Sequence, residues 1–83
     1  MTIKIKSTGQ IRAARALLRW SAQELADAAN LGVATIRRIE TLDGTPLTHV
    51  RTLLAIQSAL ESAGVEFINR DDGSAGVLLR QSA

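Results

Sequence analysis

At 83 residues the chain is one small domain, near the lower end of what holds together alone, because a short chain buries a smaller share of its surface. Its 46% hydrophobic and 22% charged residues exclude a disordered tail, and the absence of cysteine excludes disulfide frameworks and thiolate metal sites, zinc fingers included. Ten Lys and Arg against eight Asp and Glu leave a net +2, far from the strongly basic balance of a non-specific nucleic-acid coat protein.

The opening MTIKIKSTGQ lacks the apolar core of a signal peptide, and no run is long enough to cross a bilayer. No membrane partner is expected, and the default location is cytoplasmic. Residues 2–6, TIKIK, alternate apolar and charged side chains with the period of a strand. Lys4 and Lys6 are read as protecting a sheet edge, the alternative being a basic arm on phosphate. Ser7 and Gln10 have capping-box spacing, and Ile11, Ala14, Leu17 and Leu18 then recur at helical spacing as far as about Arg19. Trp20 and Phe67 are the only aromatics, too few for a platform that stacks single-stranded bases, and both are assigned to the core.

Ser21 and Glu24 make a second capping box, so a helix starts at Ala22. Leu25, Ala28 and Ala29 form its inward face; Gln23, Glu24 and Asp27 face water. Asn30 tolerates the left-handed conformation that ends such a helix, Leu31 is an apolar plug, and Gly32 is a permissible N-cap. Ile36 and Ile39, with Arg37, Arg38 and Glu40 around them, restart helical periodicity. The stretch TLDGTP is a loop by its Asp-Gly and Pro content. From Leu47 to Ala63, the set Val50, Leu53, Leu54, Ile56, Leu60 and Ala63 marks a long helix stopped by Gly64. Its wide apolar stripe calls for a second surface, either the C-terminal hairpin or another subunit. The lone His49 is an exposed or capping residue rather than a metal ligand. Val65 to Asn69, Asp71-Asp72-Gly73 and Ala75 to Arg80 read as strand, turn, strand, with Gln81 to Ala83 fraying.

Two short helices around a tight turn, the second exposing adjacent arginines, match the helix-turn-helix unit whose second helix enters the DNA major groove. The strings LADAAN, Leu31, Gly32, Val33-Ala34-Thr35 and Ile36-Arg37-Arg38-Ile39-Glu40 resemble the phage-repressor-like (Cro/C1, XRE-type) regulators. The likeness spans residues 11–60, with Asn30 where those proteins usually carry Gly. It implies a mainly α fold: a four-helix repressor-like domain, here with a small C-terminal β-hairpin and a short N-terminal strand. The chain is then a single domain over 1–83, with its helical core at 7–63, the helix-turn-helix at 21–40, and strands at 2–6 and within 65–80. The resemblance further implies a structural ion pair between Arg15 and Glu40, and a loop after Glu40 that tracks the DNA backbone. Asp43 is out of keeping there, although the hydroxyls of Thr41, Thr45 and Thr48 can donate to phosphates.

The expected function is a sequence-specific regulator of transcription that binds double-stranded DNA as a homodimer on an inverted repeat and, as the family implies, controls its own gene. Candidate DNA-binding residues are Ser21, Gln23, Gly32, Val33, Ala34, Thr35, Arg37, Arg38 and Thr45. The small side chains of residues 32–35 can meet thymine methyls; Arg38, and secondarily Arg37, would read guanine, with phosphate an equal reading for Arg37. Val65, Phe67, Val77 and Leu79 are the candidate dimerisation residues, because open strand edges invite symmetric pairing. The alternative is a helix-turn-helix-shaped module that acts on another protein, antiactivator or antitoxin-like. Asp43, the near-neutral charge and the apolar tip of Val33 and Ala34 favour it. No phosphate-binding glycine loop, catalytic carboxylate pair, nucleophile elbow or metal spacing is present. Neither an enzyme, a cofactor, a metal nor a small-molecule ligand is therefore expected, and Asp71-Asp72-Gly73 lacks the other ligands of a calcium loop.

Overall fold

Both capping boxes form in the computed structural model, which describes residues 2–81. The Ser7 hydroxyl accepts from the Gly9 amide at 3.1 Å while the Gln10 side chain accepts from the Ser7 amide at 3.1 Å. Helix α1 (Thr8–Leu18) follows. Helix α2 (Ala22–Ala29) starts where the Ser21 hydroxyl accepts from the Glu24 amide and the Glu24 carboxylate from the Ser21 amide, both at 3.0 Å. Asn30 ends α2 in the left-handed region at φ 58°, where its short polar side chain is tolerated. Helix α3 (Val33–Thr41) starts at Gly32 and α4 (Val50–Ser62) at His49, neither with a side-chain cap. Strands β1 (Val65–Asn69) and β2 (Ala75–Leu79) pair antiparallel in the register Val65↔Leu79 to Asn69↔Ala75. Gly64, at φ 104°, links α4 to β1, and a Cβ there would lie 3.1 Å from the Arg80 carbonyl oxygen, so only glycine fits without strain. The fold is mainly helical: four helices with a C-terminal two-stranded hairpin.

The hairpin lies face-on against the helices, with α1 beneath β2 and α4 beneath β1. Ile11, Leu25, Ile36, Ile56 and Leu60 form the fully buried centre, and Phe67 closes it from the sheet side. Trp20 is half-buried at its margin. Burial on α2 is rotated from the expected face: Ala26 is buried and Ala28 exposed. Leu17 is exposed near the end of α1. Leu47 is 74% exposed in the loop before α4, which begins three residues later than its apolar pattern implies.

Residues 2–6 form no strand. Side-chain carboxamides hold this segment instead. Gln57, buried on α4, accepts from the Lys4 amide at 2.7 Å and donates to the Thr2 carbonyl at 2.9 Å. Asn69 donates to the Lys4 carbonyl at 2.7 Å, and Gln10 accepts from the Lys6 amide at 2.7 Å. A carboxamide carries a donor and an acceptor, as a peptide group does, so these three side chains satisfy the backbone that a neighbouring strand would otherwise pair. The TIKIK alternation therefore reports one-sided burial, with Ile5 in the core and Lys4 and Lys6 exposed, and not strand pairing. Ser82 and Ala83, where fraying is expected, lie outside the described residues.

Gln10 joins the three parts of the molecule. Its oxygen serves Lys6 and Ser7, and its nitrogen donates to the Asn69 side chain and the Gly76 carbonyl, both at 3.1 Å. Because the residue is only 3% exposed, truncation leaves partners with little access to water. Gln10→Ala should cost about 2 to 3 kcal/mol in urea unfolding, against about 1 kcal/mol for Ser7→Ala, which removes only the cap.

Candidate DNA interface

Helix α3 divides cleanly into two faces. Ile36 and Ile39 are buried, while Ala34, Arg37, Arg38 and Thr41 are exposed. The exposed four follow a three- and four-residue spacing and so form one continuous stripe on the outer side. Gly32 is exposed at the head of the helix, and Val33 and Thr35 are half-buried beside it.

The other end of α3 is clamped by α1. Arg15 donates through Nε to Glu40 Oε2 at 2.9 Å and through Nη2 to Oε1 at 2.7 Å, a two-pronged geometry, and through Nη1 to the Trp20 carbonyl at 2.9 Å. The Glu40 side chain is 9% exposed and that of Arg15 22%. The hydrogen bonds to Glu40 hold the Arg15 pKa above its ordinary value, while burial acts the other way. One turn earlier, Arg12 donates to the Glu40 carbonyl and to Asp43 Oδ1, both at 2.8 Å. Two cations thus sit at the C-terminus of α3, where its dipole favours them. Thr8 completes the attachment: its amide donates to the Gly44 carbonyl and its hydroxyl to the Leu42 carbonyl, each at 2.8 Å.

The role of Arg12 is not evident from motif reading. Its one available signal is the three-residue spacing from Arg15, which places both on one face of α1. Its partnership also changes the meaning of Asp43, whose charge is met by a cation of the same chain.

With Arg12 and Arg15 engaged internally, Arg37 and Arg38 stand apart: among the described residues neither makes a side-chain hydrogen bond or an ion pair. The remaining candidates are exposed but differently employed. Ser21 Oγ is occupied by the Glu24 amide, Gln23 donates to Asp27 at 2.9 Å, and Thr45 lies on the loop after α3. The family model for the helix-turn-helix of the Cro/C1, XRE type matches residues 11–62. The chain belongs to that family. As a Cro/C1-type helix-turn-helix protein it is a DNA-binding regulator, and the matched residues take in the whole of α2 and α3. No curated protein matches it. No helix among the described residues is long and apolar enough to cross a membrane.

The hairpin departs from what strand alternation implies about a second copy. Val65 and Phe67 are buried in the core of this helix-turn-helix protein, and Val77 and Leu79 pack against that core. Val65 and Phe67 are covered by their own helices, whereas Val77 and Leu79, on the outer strand, are only half-buried. What the hairpin leaves outside is the opposite face, Glu66, Ile68, Gly76 and Leu78, together with its edges.

The clamp yields a measurable coupling. Arg15→Leu leaves Glu40 with little access to water and no side-chain partner, and should cost about 2 to 3 kcal/mol. The double replacement Arg15→Leu with Glu40→Leu should cost clearly less than the two single replacements added together. Urea unfolding of the four proteins checks this, and strict additivity would show that the pair carries no coupling.

Proposed function

We propose that this regulator binds an inverted-repeat operator as a homodimer, with α3 of each copy in the major groove, and that it acts on its own promoter. The observation that carries the proposal is the outer stripe of α3: small residues at the tip, then two arginines without internal partners, on a helix fixed at its far end. A two-fold axis would set the two recognition helices about 34 Å apart, on successive major grooves of one DNA face. Autoregulation is what membership in the family suggests.

In this reading Ala34, with Gly32, Val33 and Thr35 beside it, lets the helix approach closely and contact thymine methyls, while Arg38 donates two hydrogen bonds to a guanine. Arg37, one position round the helix, is assigned to phosphate. Ser21 and Gln23 at the start of α2 and Thr45 on the loop are assigned to backbone contacts, which position the protein without reading sequence.

A second reading, that the module grips another protein, draws on one observation. Leu42, Leu47 and Val50 are exposed apolar residues around the loop after α3. The acidic loop supports it less, since Asp43 is ion-paired to Arg12.

Salt separates the two. Binding to duplex DNA should weaken steeply as salt rises, the slope of log K against log[salt] being about −0.9 per neutralised phosphate. A grip on protein through apolar patches shows little such dependence. Arg38→Ala should cost about 1 to 3 kcal/mol on the cognate site and relax preference at one base, whereas Arg37→Ala should lower affinity for all sequences alike and flatten the salt slope by about one. The site itself is sought by footprinting the DNA upstream of the protein's own gene.

A further inference from the structure

Strand β2 has an edge that nothing among the described residues uses. The Arg80 amide donates to the Gly64 carbonyl at 2.8 Å and the Arg70 amide to the Ser74 carbonyl at 2.9 Å. These two bonds set the phase of the ladder, so the backbone groups of Gly76 and Leu78 turn toward β1. Those of Ala75, Val77 and Leu79 turn outward, and among the described residues no hydrogen bond reaches them. Natural edges are usually guarded by lysine, proline or a bulge. The run Ala75–Leu79, AGVLL, contains no such guard.

The face of the hairpin turned away from the helices is shaped by two residues of this same strand. Leu78 is 38% exposed there. Gly76, two positions earlier on that face, has no atom within 4 Å of the place a Cβ would occupy. It borders a cavity of about 230 Å³ lined by Ile68, Arg70, Ser74, Ala75, Gly76 and Val77.

We infer that β2 pairs antiparallel with β2 of a second copy about a two-fold axis through Val77. In that register Val77 faces Val77 of the other copy, Ala75 faces Leu79, and each exposed Leu78 lies directly opposite the other copy's Gly76. The outward amides and carbonyls then satisfy one another, and each leucine enters the hollow that the glycine leaves. Leu78 and Gly76 meet as a non-hydrogen-bonded pair, the closer kind of cross-strand neighbour, with Cα atoms about 4.5 Å apart. Charge agrees with the register. Arg80, which already donates to Glu66 Oε1 of its own hairpin at 2.9 Å, falls opposite Ser74 of the second copy, beside Asp72, whose carboxylate accepts from the Ser74 amide at 2.9 Å. The two Arg80 side chains stand at opposite ends of the paired strands, so like charges do not meet. The result is one four-stranded sheet, β1-β2-β2-β1, across both copies.

This interface rests on the homodimer reading and specifies its contact. The test uses the full 83-residue chain and exploits its lack of cysteine. In the double variant Gly76→Cys with Leu78→Cys, the inferred register brings the thiol at position 76 of one copy against the thiol at position 78 of the other, at a spacing a disulfide can bridge. Mild oxidation should convert the double variant to a covalent dimer, while either single variant should stay largely monomeric on a non-reducing gel. Sedimentation equilibrium of the unmodified chain should approach twice the monomer mass as concentration rises. Leu78→Asp should raise the dissociation constant at least about tenfold, with its far-UV circular dichroism unchanged because the residue lies outside the core. A chain that dimerises while Leu78→Asp leaves the constant unaltered, or while the double variant cross-links no better than the singles, overturns this interface and leaves the homodimer standing. A chain that stays monomeric at all concentrations, with and without DNA, overturns both.

Discussion

The C-terminal end of α3 is fixed to the body of the protein by the two arginines of α1. Arg15 holds the Glu40 carboxylate with two parallel hydrogen bonds, and Arg12 holds the carbonyl of the same residue. A guanidinium fork fixes the orientation of a carboxylate as well as its distance, which a single lysine contact does not. A helix can roll about its axis unless something off-axis restrains it. Ile36 and Ile39 restrain α3 by packing, and the arginines restrain its far end by geometry. The energetics of the clamp are asymmetric: burying two charges is costly and offsets much of their attraction, so losing one partner costs more than the intact pair contributes.

Amide side chains play the corresponding part between the helices and the hairpin. Gln10 on α1, Gln57 on α4 and Asn69 on β1 bond across elements far apart in sequence, to Gly76, to Thr2 and Lys4, and to Lys4 respectively. All buried side-chain nitrogen and oxygen atoms among the described residues have partners. A small domain has little apolar core with which to resist sliding of one layer over another. Directional bonds at the margin of the core supply that resistance, since a shift that apolar contacts would tolerate breaks several of them at once. The hairpin therefore stays in register with α1, and through α1 with the end of α3.

What could be read from the chain beforehand follows how local each determinant is. The starts of α1 and α2 were legible because a capping box is complete within four residues, and the end of α2 because Asn30 declares its backbone by itself. The phase of α2 was less legible. Its alanines surround Leu25 on both sides, so composition does not say whether burial extends toward Ala26 or toward Ala28. Residues 2–6 alternate as a strand does, yet alternation reports only that one side is covered, and here side-chain amides replace the neighbouring strand. Alternation marks the inward face of the hairpin but does not say whose core it enters. Its own helices are the nearer partner, and Val65 and Phe67 go there. The Arg12 contact to Asp43 joins residues 31 positions apart, beyond any periodicity.

The chemistry of α3 bears on why two copies should act together. One arginine reading one guanine discriminates by about 1 to 3 kcal/mol. Specific regulators exceed their own non-specific binding by about 4 to 10 kcal/mol. Ala34 and the residues flanking it add methyl contacts but few hydrogen bonds, so a single copy falls short of that range. In the proposed homodimer the discriminating energies of two half-sites add, which moves the total to about 2 to 6 kcal/mol before any contribution from DNA shape. A sheet joining the copies would also fix the distance between the two α3 helices, since each hairpin is bonded to α1 through Gln10 and each α1 to α3 through Arg12 and Arg15. Half-site spacing would then be a property of the protein as much as of the operator, and a change of one base pair between half-sites would misplace the second helix both along the DNA and around it.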